Sequence, residues 1–171
     1  MTERTRIRFW TLAWLFLFPV LFIGFIPWQL AVRFDGPLVW YGGVRQWIGA
    51  WLILNGAALA GWCVYLFITQ GRGTPLPTQP PKRFLVAGPY RFVRNPMAIG
   101  FFLILGGEAL VYSSAAVFFY LLFIVLVIHC FVRFVEEPDL QRRFGQSYLF
   151  YRYRVKRWLP QPPDGRCGGT G

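Results

Sequence analysis

Two short segments, far apart in the sequence, combine arginine with amide or carboxylate side chains. These residues are Arg94 and Asn95 in the first segment, and Arg133, Glu136 and Glu137 in the second. Guanidinium groups bind anions, and carboxylates accept hydrogen bonds from ammonium and hydroxyl groups. The two segments therefore supply the polar groups of a binding or catalytic site, provided that the fold brings them together.

Four apolar runs surround these segments and predict how they meet. Runs of about 20 residues can cross a bilayer, and the candidates are Phe9 to Leu30, Trp47 to Thr69, Met97 to Tyr112 and Ala115 to Val135. The third run is short, about 24 Å at 1.5 Å per residue. We interpret it with the fourth as a helical hairpin that turns at Ser113-Ser114, with a broken or re-entrant pair as the alternative. A hairpin places both polar segments at one membrane edge.

Two polar residues also have structural interpretations. At helical spacing Arg133 faces Glu136 and Glu137, so a rim of ion pairs is an alternative to a functional site. His129 lies inside the fourth run, and an intramembrane histidine is a functional candidate by default. Because the chain has a single histidine, we favour a hydrogen-bonded structural role for it.

The composition predicts a membrane protein. Of 171 residues, 56% are hydrophobic, 20% aromatic and only 15% charged, which is unusual for a soluble domain. We expect an all-α integral membrane bundle of about four transmembrane helices, followed by a C-terminal cytoplasmic helical segment. We predict a single domain over residues 1–160 and a flexible tail over residues 161–171.

The basic residues predict the orientation. With four spans, 16 arginines and lysines lie on the side of the head, second loop and tail, against 2 in the first loop. Basic residues accumulate on the cytoplasmic side, so both termini should be cytoplasmic. A basic rim beside anionic lipid accounts for the net charge of +11. We expect the bilayer, and no nucleic acid, as a partner, because no nucleic-acid module is recognisable.

Prolines predict the irregular segments. Pro19 and Pro27 should kink the first span, and five prolines within "GRGTPLPTQPPKRFLVAGPY" make the second loop, Gln70 to Asn95, an ordered linker or binding loop. After the fourth span, the helix should break near Pro138 and resume along the membrane surface, because proline is tolerated in a first helical turn.

The motifs "GPYRFVRNPMAIG" and "EEPDLQRRFGQSYLFYRYRVKRWLP" resemble those of membrane methyltransferases that include isoprenylcysteine carboxyl methyltransferase and the phospholipid N-methyltransferases. The resemblance covers about residues 82 to 160. It implies an enzyme that uses S-adenosylmethionine, without a metal, to methylate a lipophilic acceptor at the membrane interface. The acceptor is a prenylcysteine-like carboxylate or a phospholipid-like amine.

The resemblance also implies the site residues. By position, those expected to bind the cofactor are Lys82, Arg83, Phe84, Leu85, Tyr90, Arg94, Asn95, Pro96, Met97 and Glu137. Arg94 and backbone N–H groups at a helix N-terminus suit the cofactor carboxylate. Glu137 suits its ammonium and hydroxyl groups, and Tyr90 suits the adenine ring.

Arg133 and Glu136 are expected at the acceptor end. Arg133 would orient an acceptor carboxylate, whereas Glu136 would take the proton of an acceptor amine if burial raises its pKa toward neutrality. The acceptor tail would enter from the lipid between spans.

The chain departs from the prenylcysteine branch at two positions. Many of those relatives have His in place of Asn95 and Tyr in place of Ala98. Asn95 cannot carry a positive charge, and the missing aromatic contact would fall to Phe92 or Tyr148. A non-catalytic membrane scaffold and a nicotinamide-dependent membrane reductase are the alternative functions, and the Arg-Asn-Pro triplet argues against the reductase.

Overall fold

Every regular element of the described part of the chain is helical. The computed structural model describes residues 19–36, 39–69 and 86–161. The α-helices are α1 (Ile26–Phe34), α2 (Val44–Thr69), α3 (Pro96–Tyr112), α4 (Ala115–Phe131) and α5 (Glu137–Arg154). Two π-helical stretches, Val20–Phe25 and Val132–Glu136, lead directly into α1 and α5, and a 3₁₀ turn, Gly88–Arg91, precedes α3. The all-α prediction is therefore confirmed for these ranges.

Within residues 19–36, 39–69 and 86–161, two helices are long and apolar enough to cross a membrane. They are α2 and the continuous helix Ala115–Arg154, which contains α4 and α5; the helix Val20–Phe34 and α3 are shorter and apolar. In α4, Val117 is the buried residue, whereas Phe119 is 67% exposed and Leu126 61% exposed. A helix that is apolar all round with its side chains on the surface is suited to lipid rather than to water.

The continuous helix is too long to lie wholly within a bilayer. Before the kink at Gly145, the stretch from Ala115 to Phe144 alone would be about 45 Å long, more than the hydrocarbon thickness of about 30 Å. The apolar run Ala115 to Val135 is about 31 Å long and fits the hydrocarbon by itself. Glu136 and α5 therefore lie beyond the apolar, membrane-spanning segment.

Helices α2 and α3 pack backbone against backbone through four glycines. A Cβ atom at Gly56 would lie 2.5 Å from the Gly100 carbonyl oxygen, and one at Gly107 would lie 2.5 Å from the Gly49 carbonyl oxygen. Each helix thus presents two glycines, two turns apart, to its antiparallel partner. Small residues allow this close approach, from which packing in a membrane gains most of its attraction.

The turn between α3 and α4 is the predicted one. Helix α3 ends at Tyr112, Ser113 adopts a left-handed conformation with φ 53°, and α4 begins at Ala115. The Val117 N–H donates to Ser114 Oγ at 3.1 Å, which caps α4. The helical hairpin at Ser113-Ser114 is therefore confirmed.

Polar side chains fix this end of the bundle. The Ser114 hydroxyl hydrogen-bonds the Asp35 carboxylate at the end of α1, and Gln46 Nε2 donates to the Val111 carbonyl at 3.3 Å. Glu108, one turn before the end of α3, is 8% exposed, and its Oε2 atom is buried without a hydrogen-bond partner. These contacts connect α1, α2 and α3 at the end opposite to Arg94.

The predicted break near Pro138 is wrong. The π-helical stretch widens the helix just before the proline, where the Glu137 N–H bonds the Val132 carbonyl, and Pro138 then lies in the first turn of α5. The wider turn makes room for the proline ring and leaves no helical hydrogen bond that needs the missing proline N–H, so the helix does not end there. The backbone departs from helical geometry at Gly145 instead, with φ 52° and ψ −126°, a conformation open to glycine.

Several predicted features lie outside the described residues. These are the first part of the span Phe9 to Leu30, the loop from Gln70 to Leu85, and the tail beyond Gln161. The described part of the first span keeps its prolines within helix: Pro19 precedes the π-helical stretch and Pro27 lies in the first turn of α1.

Candidate active site

Glu137 is the centre of an arginine cluster. Its Oε1 atom accepts from Arg94 Nη1 at 2.8 Å and from Arg157 Nε at 2.7 Å, and its Oε2 atom accepts from Arg157 Nη2 at 2.9 Å. Arg152 Nε lies farther away, 3.9 Å from Oε2. The Glu137 and Arg94 side chains are only 6% and 11% exposed. The two predicted polar segments therefore meet through a direct, largely buried ion pair.

The chain after α5 brings Arg157 to this centre. The Arg94 N–H donates to the Lys156 carbonyl at 3.0 Å, and the Gln161 N–H donates to the Phe92 carbonyl at 2.9 Å. These backbone bonds hold the C-terminal segment against the loop before α3. Arg157 thereby reaches Glu137 from a segment that follows the kink in α5.

Spaced tyrosines fix α5 against the same loop. The Tyr151 hydroxyl donates to the Tyr90 carbonyl at 2.7 Å. Tyr148, Tyr151 and Val155 form a buried cluster, with Tyr148 only 2% exposed. The Tyr90 ring packs edge-on against Phe67 of α2, with ring centres 5.6 Å apart. The loop, α2 and α5 are therefore one packed unit around Glu137.

The charges shift several pKa values beyond the apolar segment. Burial by itself would raise the pKa of Glu137, but the hydrogen bonds from Arg157 and the charges of Arg94 and Arg157 hold it below its ordinary value. The hydrogen bond to Glu137 raises the pKa of Arg157. Burial, and then the negative charge of Glu137, raise the pKa of Glu136. The two adjacent glutamates therefore differ in their readiness to hold a proton.

A pocket of about 240 Å³ opens beside Glu137. Its lining residues are Arg133, Phe134, Glu137, Pro138, Gln141 and Arg152. Arg133 is exposed, and the ion pairs of the described residues join Glu137 to Arg94, Arg152 and Arg157 but not to Arg133. The interpretation of Arg133 as an ion-paired helix end is therefore wrong.

The start of α3 retains hydrogen-bond donors. Asn95 precedes the helix but its side chain does not cap it, and Pro96, buried in the first turn, contributes no N–H group. Arg94 Nε is buried without a hydrogen-bond partner. Met97 is half-buried at the same place. A guanidinium donor and the N–H groups of a helix N-terminus both suit an anionic group.

The structure brings three of the predicted residues together and adds two arginines to them. Arg94 and Glu137 are in contact, and Arg133 shares the pocket with Glu137, whereas residues 82–85 lie outside the described residues. Arg152 and Arg157 complete the cluster but were predicted only as basic tail residues. They follow Glu137 by 15 and 20 positions, beyond the kink at Gly145, so no helical spacing connects them to it.

His129 has the predicted structural role. Its Nδ1 atom accepts a hydrogen bond from Trp158 Nε1 at 3.0 Å, which confirms a hydrogen-bonded role for this histidine. Of the two aromatic residues considered for the contact missing at Ala98, Tyr148 is buried and Phe92 is 43% exposed.

The fold and the site combine apolar helices that could cross a membrane with a charged pocket at the end of an apolar helical run. A family model described as phospholipid methyltransferase matches residues 44–147. This chain belongs to the phospholipid methyltransferase family. The matched range contains Arg94, Arg133, Glu136 and Glu137 and ends before Arg152.

One similar protein is the phosphatidylethanolamine N-methyltransferase of Talaromyces marneffei. The two sequences are 33% identical over 92 residues, which are 52% of this chain but 9% of that relative. The chain therefore aligns with less than a tenth of the relative's length. No solved structure matches the chain.

Proposed function

We propose that this protein is an S-adenosylmethionine-dependent methyltransferase that methylates a phospholipid-like amine at the cytoplasmic membrane interface. The observation that carries the proposal is the contact between Arg94 and Glu137 beside a pocket at the end of the apolar segment. Family membership supports the reaction and a membrane lipid as acceptor. We assign the activity to a single domain, residues 1–160.

The residues present fit the cofactor chemically. Arg94 Nε is a buried donor without a partner, and with the N–H groups at the start of α3 it would bind the cofactor carboxylate. A carboxylate has about four acceptor positions, and three of those on Glu137 are filled by Arg94 and Arg157. The remaining position on Oε2 would accept from the cofactor ammonium or a hydroxyl. Tyr90, Asn95, Pro96 and Met97 complete the proposed lining, together with residues 82–85.

Arg133 and Glu136 are proposed to act on the acceptor. When bound, S-adenosylmethionine supplies an electrophilic methyl group. A protonated amine must lose a proton before its nitrogen lone pair can attack, and Glu136, whose pKa is raised, is suited to accept that proton. The packed unit around Glu137 limits the motion of these groups and so favours alignment of donor and acceptor.

The proposed topology has four spans and cytoplasmic termini. At the end of the bundle that holds Asp35 and Gln46, the described arginines are Arg33 and Arg45. The described basic residues of the Glu137 end are Arg91, Arg94, Arg133, Arg142, Arg143, Arg152, Arg154, Lys156 and Arg157. This separation supports a cytoplasmic location for the site, because basic residues favour that side.

Ligand binding to the purified full-length protein tests the proposal. A thermal-shift scan in detergent should show stabilisation by S-adenosylmethionine and S-adenosylhomocysteine but not by NADPH. Arg94→Ala and Glu137→Ala should each weaken S-adenosylhomocysteine binding at least about tenfold, or 1.4 kcal/mol. Asp139→Asn, at an exposed side chain of the same helix, is the matched control. Stabilisation by NADPH alone would support a reductase, and the absence of any shift would support a scaffold.

A further inference from the structure

Two arginines of the pocket contribute little or nothing to the ion pairs that hold Glu137: Arg152 forms the longest of these pairs, and Arg133 forms none. Arg152 approaches Glu137 only to 3.9 Å, and its side chain is 44% exposed. Arg133 is exposed, and its guanidinium carbon lies 5.8 Å from the centre of the Phe134 ring. None of the ion pairs among the described residues includes Arg133. Both guanidinium groups therefore retain donors for a ligand.

The pocket between these arginines carries excess positive charge. Its lining contains one carboxylate, that of Glu137, which Arg94 and Arg157 already neutralise. The single negative charge of Glu137 therefore lies among the four positive charges of Arg94, Arg133, Arg152 and Arg157. Guanidinium groups bind carboxylate and phosphate with paired hydrogen bonds, so the pocket favours an anion.

The position of the pocket favours an anion that is attached to an apolar tail. Arg133 lies within the last three residues of the apolar run Ala115 to Val135. Around it, Phe131 is 49% exposed, Phe134 69% and Val135 53%. Exposed aromatic and aliphatic side chains beside a cationic pocket match the boundary between acyl chains and headgroups.

We propose, on the basis of the function proposed above, that Arg133 and Arg152 form a binding site for the phosphodiester of a lipid acceptor. The tetrahedral oxygens of a phosphodiester can accept from two guanidinium groups that approach from different helical segments. The oxygens of a phosphodiester surround a tetrahedral phosphorus and so project out of one plane, whereas the two oxygens of a carboxylate lie in a single plane that suits one bidentate arginine best. The pocket volume of about 240 Å³ leaves room for such a group.

This site would also select the acceptor amine. Glu136 follows Arg133 by three residues in the π-helical stretch Val132–Glu136 and is adjacent in sequence to the pocket residue Glu137. In an ethanolamine headgroup a short linker separates the phosphate from the amine. Holding the phosphate at Arg133 and Arg152 therefore keeps the amine near Glu136, whereas a lipophilic amine without phosphate is held by its tail alone.

Binding measurements with three amphiphiles test the site. The probes for the full-length protein in detergent are dihexanoyl phosphatidylethanolamine, dodecylamine, which has no phosphate, and dodecanoate, which has a carboxylate. We expect Arg133→Gln and Arg152→Gln each to weaken binding of the phospholipid at least tenfold and to leave dodecylamine binding within twofold. Arg142→Gln, an exposed arginine of α5 outside the pocket, is the control and should change neither.

Further measurements separate the possible failures. Lysine at either position keeps the charge but loses the paired hydrogen-bond geometry, so these variants should bind the phospholipid with intermediate affinity. They replace any glutamine variant that aggregates.

Other outcomes would overturn the proposal. If inorganic phosphate binds as tightly as the phospholipid, the ligand of the site is not specifically a lipid. If the arginine variants lose dodecanoate binding as much as phospholipid binding, the site has no preference for phosphate. If both arginine variants bind the phospholipid as tightly as the unmodified protein and still bind S-adenosylhomocysteine, this phosphodiester site is refuted but the proposed methyltransferase function is not. If the unmodified protein does not bind S-adenosylhomocysteine, the proposed methyltransferase function is itself refuted.

Discussion

At the scale of single residues, Glu137 and Glu136 are adjacent in sequence but opposite in electrostatic environment. Glu137 receives hydrogen bonds from two arginines, which stabilise its charged form. Glu136 is half-buried without an arginine partner among the described ion pairs. Two neighbouring carboxylates can therefore serve different purposes, one holding the structure and the ligand, the other holding a proton.

The first prediction concerns the stability supplied by Glu137. Glu137→Gln should lower the free energy of unfolding by about 3 kcal/mol, because it leaves two largely buried arginines side by side without a counter-charge. Denaturant titration in detergent micelles measures this change. Asp139→Asn removes an exposed ion pair at 3.5 Å and should cost about 0.5 kcal/mol or less. Equal effects of the two variants would contradict a structural role for the Glu137 cluster.

The second prediction concerns pH. A carboxyl group with a raised pKa remains protonated to a higher pH than an ordinary glutamate, so methyl transfer should increase with pH as Glu136 loses its proton. Glu136→Gln should abolish this increase and lower the rate about a hundredfold. The measurement is the pH–rate profile of transfer from labelled cofactor to phospholipid. A profile that keeps its shape in Glu136→Gln would show that another group accepts the proton.

At the scale of helices, close packing of α2 on α3 positions the site. Gly56 of α2 and Gly100 of α3 are in contact near the N-terminus of α3, which follows Arg94. Leu66 of α2 lies close to Gly88 in the 3₁₀ turn that precedes α3. The loop that carries Tyr90 and Arg94 is thus held by the closely packed helix pair α2 and α3. A change in the distance between these helices will consequently change the position of Arg94.

The third prediction tests this packing. Gly56→Ala places a Cβ atom 2.5 Å from a carbonyl oxygen, whereas a Cβ atom at Gly61 of the same helix meets nothing within 4 Å. Gly56→Ala should destabilise the protein by about 1–3 kcal/mol. Gly61→Ala should be neutral or stabilising by up to about 1 kcal/mol, because alanine favours helix. Thermal unfolding in detergent distinguishes the two variants, and equal melting temperatures would contradict the close contact.

At the scale of the whole molecule, the two ends of the bundle differ in chemistry. One end holds the Asp35–Ser114 contact and the buried Gln46. The other holds the arginine cluster and the basic helix α5. An anionic cytoplasmic leaflet attracts the second end by about 1 kcal/mol for each basic residue near the surface, and this difference underlies the proposed orientation.

The fourth prediction follows from this difference. Reporter fusions at residue 171 and near Gly36 in the first loop should report opposite sides of the membrane, with residue 171 cytoplasmic. The physical reason is the distribution of 16 basic residues against 2. A C-terminal fusion on the outer side would exclude the four-span topology with a cytoplasmic site.

The sequence by itself determined the class of the fold, the hairpin and the pairing of its polar ends. Apolar runs and a Ser-Ser turn depend on local composition, so Tyr112 and Ala115 were correctly placed at the helix ends. The resemblance to membrane methyltransferases also depends on local sequence motifs, so it could be seen without the structure. The sequence also predicted that Arg94 and Glu137 share one site, because the first and last residues of a helical hairpin lie next to each other.

Only the tertiary structure decided which charges are satisfied. The π-helical turn before Pro138 keeps the helix continuous, and the kink at Gly145 returns the chain so that Arg157, 20 residues later, bonds Glu137. Helical spacing would have paired Glu137 with Arg133 instead. An ion pair forms between charged groups that the packed backbone brings within about 3 Å of each other. That distance depends on the combined effect of the π-helical turn and the kink on the path of the chain, and no local sequence pattern encodes it.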